Sequence, residues 1–427
     1  MLGLVLTAGG ARGAYQAGVL KRIGELPALR GKPAPFQIIT GASAGAINGA
    51  AIASQSGNFR DATQALAQLW SELSVRDVFK ADALSLGVNG LRFLQDLTFG
   101  GFVRGAGTQS LLNAAPLRGF LARHLPLAGI GDAIARGHLY AIAVSATSYH
   151  SGKSFTFIQG RPGHPLWAKS RRVTLAVTLT VEHVCASAAI PIVFQPVRLR
   201  GQGADVYFGD GGLRLVTPFS PAIRLGATRV FAVGIRCQRS ADDLSLTELT
   251  GRGDEAPVME QPPLSQICGV FLNAIFLDHL DTDLDHLIRM NELIRTYGNS
   301  GANAVSGAAA PLGEPMRIVT PLVVNPSEDL AIVAKSLSHK MPRLVRYLMD
   351  GLGTPNAQSA DLMSYLLFDS AYTRELIHIG YRDASARIEE IEAFLLGDTG
   401  LLAATAARTP KARTRQSSPV AALPQRA

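Results

Sequence analysis

Residues 33–59 constrain the fold more than any other part of the chain, because 27 consecutive positions carry no Asp, Glu, Lys or Arg. This is not a membrane span. Pro33, Pro35, Gln37, Thr40, Ser43, Asn48, Ser54, Gln55, Ser56 and Asn58 interrupt it, and a spanning helix needs about 20 predominantly apolar residues. The stretch divides instead into a short apolar strand (residues 36–40), the small-residue turn Gly41-Ala42-Ser43-Ala44-Gly45, and an uncharged, Ala-rich helix reaching Ala53. A helix without a charged face is buried all round. The start of the chain has the same form. Residues 2–7 make an apolar run that breaks into Gly9-Gly10-Ala11-Arg12-Gly13, and residues 14–26 follow with helical spacing. Strand–helix–strand–helix at this spacing predicts an α/β fold, with a mostly parallel central sheet between helical layers.

Further strands are expected at 138–145, 154–159, 191–199, 205–208, 229–235 and 316–324, all rich in Val, Ile and Phe. Residues 74–130 have weak periodicity and include Phe79, Phe93, Phe99 and Phe102, which predicts a cap-like insertion over the ligand edge of the sheet. Residues 240–264 are polar and Pro-rich and read as a loop. Beyond Ser265 the spacing turns helical, through Ile275, Leu277, Leu280, Leu284, Leu287, Ile288 and Ile294, with a last helical set at 360–396. The expected organisation is a catalytic unit over 1–235, a sheet-completing and helical extension over 236–398, and a disordered basic tail over 399–427. That tail has no acid but carries Arg408, Lys411, Arg413, Arg415 and Arg426, a large part of the net charge of +8. Such a tail fits contact with an anionic membrane. No aromatic interleaving or reading motif accompanies it, so nucleic acid is not expected as a partner.

Hydrophobic residues at 47% and charged residues at 17% exclude a disordered chain. Cys185, Cys237 and Cys268 are too scattered for a disulfide scaffold or a metal knuckle and suit a reducing compartment. The opening MLGLVLTAGGARG lacks a basic n-region, and its apolar run is too short for a signal peptide. The expectation is a leaderless, cytoplasmic protein that also meets membranes peripherally; leaderless secretion stays open.

Three elements bear chemistry. Gly41-Ala42-Ser43-Ala44-Gly45 is a GxSxG between a strand and a helix, the setting in which a strained turn exposes a Ser nucleophile. The helix beginning at Ala44 points its positive end at a developing oxyanion. Gly9-Gly10-Ala11-Arg12-Gly13 fails as a dinucleotide fingerprint, because Ala8 takes the place of the first Gly and no acid follows the second strand. It reads better as an oxyanion loop whose backbone N–H groups are exposed, with Arg12 orienting it or neutralising charge. Asp210-Gly211-Gly212 follows an expected strand in a segment with few other charges.

As an ordered set over residues 1–235, the glycine loop, the GxSxG, Ala186-Ser187-Ala188-Ala189-Ile190-Pro191 and Asp210-Gly211-Gly212 resemble the patatin-like phospholipase family. The resemblance implies a three-layer α/β/α fold and a Ser–Asp dyad with Ser43 as nucleophile and Asp210 as base. It also implies an oxyanion hole in the glycine loop, fatty-acyl esters of glycerophospholipids or lysophospholipids as substrates, and no cofactor or metal. Ala8 departs from the family's usual glycine, which narrows the pocket by a methyl group without removing a backbone donor. A carboxylate serves as base for a hydroxyl if it is desolvated, and Val206, Phe208 and the two glycines provide apolar neighbours.

Rival readings remain at this level: a neutral-lipid or small-ester hydrolase, an acyltransferase, or a non-catalytic membrane-binding protein on the same scaffold. The sequence leaves the oligomeric state open. Asp281, Asp283, Asp285 and Glu292 have calcium-loop spacing, but His286 occupies the position that needs Gly, so an acidic helix face is expected. Arg252-Gly253-Asp254 lies in the polar loop and reads as chance. His183, near the Ala186–Pro191 motif, is the one histidine close enough in sequence to watch.

Overall fold

The computed structural model describes residues 1–80, 112–169, 171–200, 205–237, 279–297, 317–337 and 360–397, with single residues at 110, 270, 274 and 339. Among the described residues, ten strands form one sheet. They are β1 (Leu2–Leu6), β2 (Ile38–Ala42), β3 (Ala141–Ser148), β4 (Ser154–Gly160), β5 (Ala168–Lys169), β6 (Arg172–Ala176), β7 (Val197–Arg200), β8 (Asp205–Gly209), β9 (Arg229–Val233) and β10 (Thr320–Val324). The order is β10-β9-β1-β2-β3-β4-β6-β5, with β8 pairing on β3 and β7 on β8. From β10 to β3 every pairing is parallel. β1 is buried throughout, as a strand covered on both faces must be.

Two apolar layers flank the sheet. On one side, Leu4, Leu6, Ile39, Val144 and Phe231 pack under the helices α1 (Gly13–Gly24), α2 (Ala44–Ser54) and α3 (Phe59–Glu72). Tyr372, Leu376 and Phe394 of the C-terminal helices Ser370–Ala386 and Ile388–Leu396 join the same core. On the other side, Val5, Ile38, Ala143 and Val230 pack against Phe219, Leu280 and Leu287. The protein is therefore a three-layer α/β/α fold. Every residue of α2 is buried, which its lack of charge predicted.

A buried polar network fixes α1, α2 and α3 to the sheet. Gln16 Nε2 donates to the carbonyls of Thr7 and Val233, each at 3.1 Å. Asn48 Nδ2 donates to the Gly13 carbonyl at 3.0 Å and to Gln16 Oε1 at 2.9 Å, while Trp70 Nε1 donates to Asn48 Oδ1 at 2.7 Å. Satisfied in this way, such groups rigidify a core, whereas orphaned they would cost it stability. The network clamps both ends of the glycine loop.

Several expectations are corrected. The strand expected at 191–199 covers only Val197–Arg200. Residues before it turn instead, with Phe194 N donating to the Ile190 carbonyl at 2.8 Å and Ile192 at φ 69°. Pro191 has no N–H to give a ladder. β3 begins three residues later than expected, and β10 begins at Thr320 rather than Met316. The acidic repeat lies on a helix as expected, His279–Tyr297, but Asp283 is buried rather than solvated, and its Oδ2 accepts from Phe219 N at 2.9 Å. Of the expected insertion, the helices Val75–Val78, Ala115–His124 and Gly129–Ala135 are described. Phe93, Phe99, Phe102, the Arg252-Gly253-Asp254 loop, Cys268 and the basic tail lie outside the described residues. Among the described residues, no helix is long and apolar enough to cross a membrane.

Candidate active site

The glycine loop leaves the end of β1, Ser43 leaves the end of β2, and Asp210 leaves the end of β8. The first two positions follow from parallel pairing, since adjacent parallel strands end on one edge, where ligands of open α/β sheets bind. Asp210 arrives differently. β8 runs antiparallel to β3, with Gly209 opposite Thr147, so it finishes beside the end of β3. The turn after it is seated by Thr147 Oγ1, which donates to the Asp210 carbonyl at 2.8 Å, and by Asp210 N, which donates to the Ala189 carbonyl at 2.9 Å. Gly211 lies so close to the Ser145 carbonyl and Ala42 Cβ that a side chain there would overlap them.

Ser43 occupies φ 56°, ψ −125°, one of two non-glycine residues at positive φ among those described. Such a backbone costs about 1–3 kcal/mol and persists only where its surroundings hold it. Here they do. Gly41 backs onto the Gly45 carbonyl, Gly45 onto the Leu6 carbonyl, and neither has room for a Cβ. Ser43 N donates to Ser187 Oγ at 2.9 Å, and Ser187 Oγ donates to the Ser145 carbonyl at 2.6 Å. Sequence reading placed Ser187 in a motif but not in this bridge; its hydroxyl, one residue after Ala186 in that motif, was the available signal.

The Asp210 carboxyl is completely buried, and Gly212 N donates to Oδ1 at 2.8 Å. Desolvation pushes its pKa up to about 7, against smaller lowering effects from the Ser43 hydroxyl and Gly212 N–H. Ser43 is thus near enough to act on the carboxyl as a donor. Oδ2 makes no hydrogen bond of full geometry. Burial and the Asp210 charge also raise the pKa of Tyr149.

Of the glycine loop, Gly10 lines the same cavity as Ser43 and Ala44. Gly10 has φ +54°, and a Cβ on it would strike the Tyr365 carbonyl. It opens the short turn Gly10–Arg12, and Ala44 opens α2, so both N–H groups are without partners inside their own helical turns. Gly9, Ala11 and Gly13 serve packing. A side chain on Gly9 would meet Ile235, one on Gly13 would meet Ala44 and Trp70, and Ala11 is fully buried. Arg12 is buried and engaged by the C-terminal part of the chain. Its Nε donates to Ser364 Oγ at 2.7 Å, and its guanidinium lies 4.6 Å over the Tyr365 ring. His183 is engaged elsewhere, with its Nδ1 accepting from Thr180 N at 3.2 Å and its ring edge-on to Phe157 at 4.7 Å.

The cavity at Ser43 has a volume of about 30 Å³ and is walled by apolar side chains, among them Trp70, Phe120, Ile190, Phe194 and Phe368. A second, larger cavity of about 290 Å³ shares Leu117, Ala188 and Phe194 with it but presents Arg118, Glu182, Gln195 and Arg198. Among the described residues, no group of three or more His, Cys, Asp or Glu side chains is placed to hold a metal ion.

A strained Ser at a strand–helix turn beside a buried carboxylate has the arrangement that acyl transfer requires. In agreement, residues 4–223 match the patatin-like phospholipase family, and the chain belongs to that family of lipid-ester hydrolases. No curated protein sequence matches it. Among solved structures, VipD from Legionella pneumophila is similar at 12% identity with a TM-score of 0.28, over 88% of this chain and 66% of VipD. The type III effector protein ExoU is similar at 13% identity with a TM-score of 0.24, over 91% of this chain and 78% of ExoU.

Proposed function

We propose that the protein hydrolyses fatty-acyl esters of phospholipids or lysophospholipids through a Ser43–Asp210 dyad and an acyl-enzyme. The observation that carries this reading is the approach of Ser43, held at φ 56°, to a fully buried Asp210 whose pKa is pushed up to about 7. A base poised near the working pH is the best matched to its task. Ordinary carboxylates are too acidic to take a hydroxyl proton, and desolvation is what removes that handicap.

In the reaction, the Ser43 hydroxyl proton passes to Asp210 Oδ2 as Oγ bonds to the ester carbonyl carbon. The Gly10 and Ala44 N–H groups, with the positive end of α2 behind Ala44, hold the oxyanion. The C–O bond to the alcohol then breaks, and Asp210 returns its proton to the leaving oxygen. A water molecule, deprotonated by Asp210, attacks the acyl-enzyme; the bond to Ser43 Oγ breaks, Asp210 returns the proton to Oγ, and the fatty acid leaves. The apolar walls at Ser43 suit the first carbons of an acyl chain, and the larger cavity beside it, with Arg118, Glu182, Gln195 and Arg198 among apolar residues, suits an amphiphilic substrate better than a small ester. We further propose residues 1–235 as the catalytic unit, with peripheral membrane contact through the basic tail.

Incubation with a mixed lipid extract, with mass spectrometry of the products, tests the reading. Free fatty acids and deacylated phospholipids are expected, together with fluorophosphonate labelling that Ser43→Ala abolishes. Labelling or release that survives in Ser43→Ala would overturn it.

A further inference from the structure

The family match ends at residue 223, yet the cavity at Ser43 is also lined by a residue far beyond it, Phe368. Phe368 follows the helix Ala360–Leu366 and is 6% exposed. Its ring stands edge-on to Phe79 at 6.4 Å, and Phe79 lies 6.0 Å from Phe194, so the two cavity-lining rings of Phe368 and Phe194 are backed by a third aromatic from a distant part of the chain. Three residues before Phe368, the Tyr365 carbonyl backs onto Gly10 Cα, and the Tyr365 ring lies under the Arg12 guanidinium. Ser364 Oγ accepts from Arg12 Nε.

The segment is itself anchored. Asp369 Oδ1 accepts from Ala371 N to cap the helix Ser370–Ala386, and Tyr372 OH donates to the Leu330 carbonyl at 3.0 Å. That helix crosses α1 closely, because Gly18 faces the Ile377 carbonyl and Gly380 faces the Tyr15 carbonyl with no side chain between.

We propose that residues 364–368 form a specificity and positioning element of the ester-hydrolase site. Phe368 is the wall that limits the acyl chain, and Tyr365 is a positioning residue that holds Gly10 in its oxyanion-binding shape through Arg12. The inference rests on the Ser43–Asp210 reading, because it takes the cavity at Ser43 as the acyl site. A cavity closed by packed aromatics gains with each methylene buried, by about fourfold in kcat/KM, until the chain meets the wall. A guanidinium buried on a ring is fixed in direction by a cation–π contact that is strongest when dry, and the backbone two residues before Arg12 moves with it.

The test uses the full chain and p-nitrophenyl esters from butyrate to palmitate. Wild type is expected to gain with chain length and then level off. Phe368→Ala is expected to move the plateau to longer chains, and Phe368→Trp to shorter ones. Tyr365→Leu is expected to lower kcat about tenfold with KM little changed, and Tyr365→Phe, which keeps the ring, to restore it. If Phe368→Ala does not fold, the Phe368→Trp profile decides. Chain-length profiles that coincide with wild type, while Ser43→Ala is inactive, would overturn this inference alone. Hydrolysis surviving in Ser43→Ala would overturn the site reading and this inference with it.

Discussion

Replacing Asp210 with Asn separates stability from catalysis. The carboxyl has a pKa of about 7 in the folded chain against 3.8 when unperturbed, because it is completely buried. Between those values the folded state binds more protons than the unfolded one, so ionising Asp210 destabilises the fold as pH rises through this window. A shift of this size corresponds to about 4 kcal/mol, at 1.36 kcal/mol for each pKa unit. Asn keeps the carbonyl that accepts from Gly212 N but carries no charge to desolvate. Denaturant unfolding of both proteins at pH 4 and pH 8 is the assay. The difference between the two proteins cancels the titrations they share, such as that of Asp283, and its change from pH 4 to pH 8 cancels every term that does not depend on pH. Asp210→Asn is expected to gain on wild type by about 4 kcal/mol across that interval, while losing several orders of magnitude in ester hydrolysis. Parallel stability curves for the two proteins would refute the claim that the carboxyl is dry and strained towards neutrality. An Asn variant retaining near-full activity would refute its role as base.

The wild-type kcat/KM is expected to rise with pH through about 7, as the Asp210 base form is populated, and a profile flat from pH 5 to pH 8 would count against the assignment. At position 43, Ala and Gly are both expected to be inactive, but Gly is expected to be the more stable by about 1 kcal/mol in denaturant unfolding, because it accepts positive φ without strain. Gly10→Val is expected to reduce kcat about a hundredfold, the value of one oxyanion donor, with a smaller change in KM; steady-state kinetics on a soluble ester reads the split. Deleting residues 399–427 is expected to lower hydrolysis of anionic vesicles at low salt, with a deficit that shrinks as salt rises. Five cations at about 1 kcal/mol each are screened over a Debye length.

The sequence by itself determined the local machinery. An uncharged helix after a short apolar strand has one home, between a parallel sheet and other helices, and α2 lies there fully buried. Gly41 and Gly45 bracket Ser43 because the elbow has no space for a Cβ at either, a constraint legible in the spelling of the turn. The tertiary structure decided everything that depends on which distant segments meet. β8 could be expected as a strand, but only its antiparallel pairing on β3 brings Asp210 to Ser43, and strand direction is not written in alternation or composition. Desolvation of Asp210 is likewise a property of its assembled surroundings, not of Val206 and Phe208 alone. Arg12 reads as an active-site charge beside its glycines, yet it is buried against Ser364 and Tyr365, some 350 residues away in sequence. Phe368 gave no signal at all, because one aromatic in a helical pattern looks the same whether it fills a core or closes a substrate cavity. Local spacing fixes which way a backbone turns; which surfaces then lose their water is fixed only when the whole chain has packed.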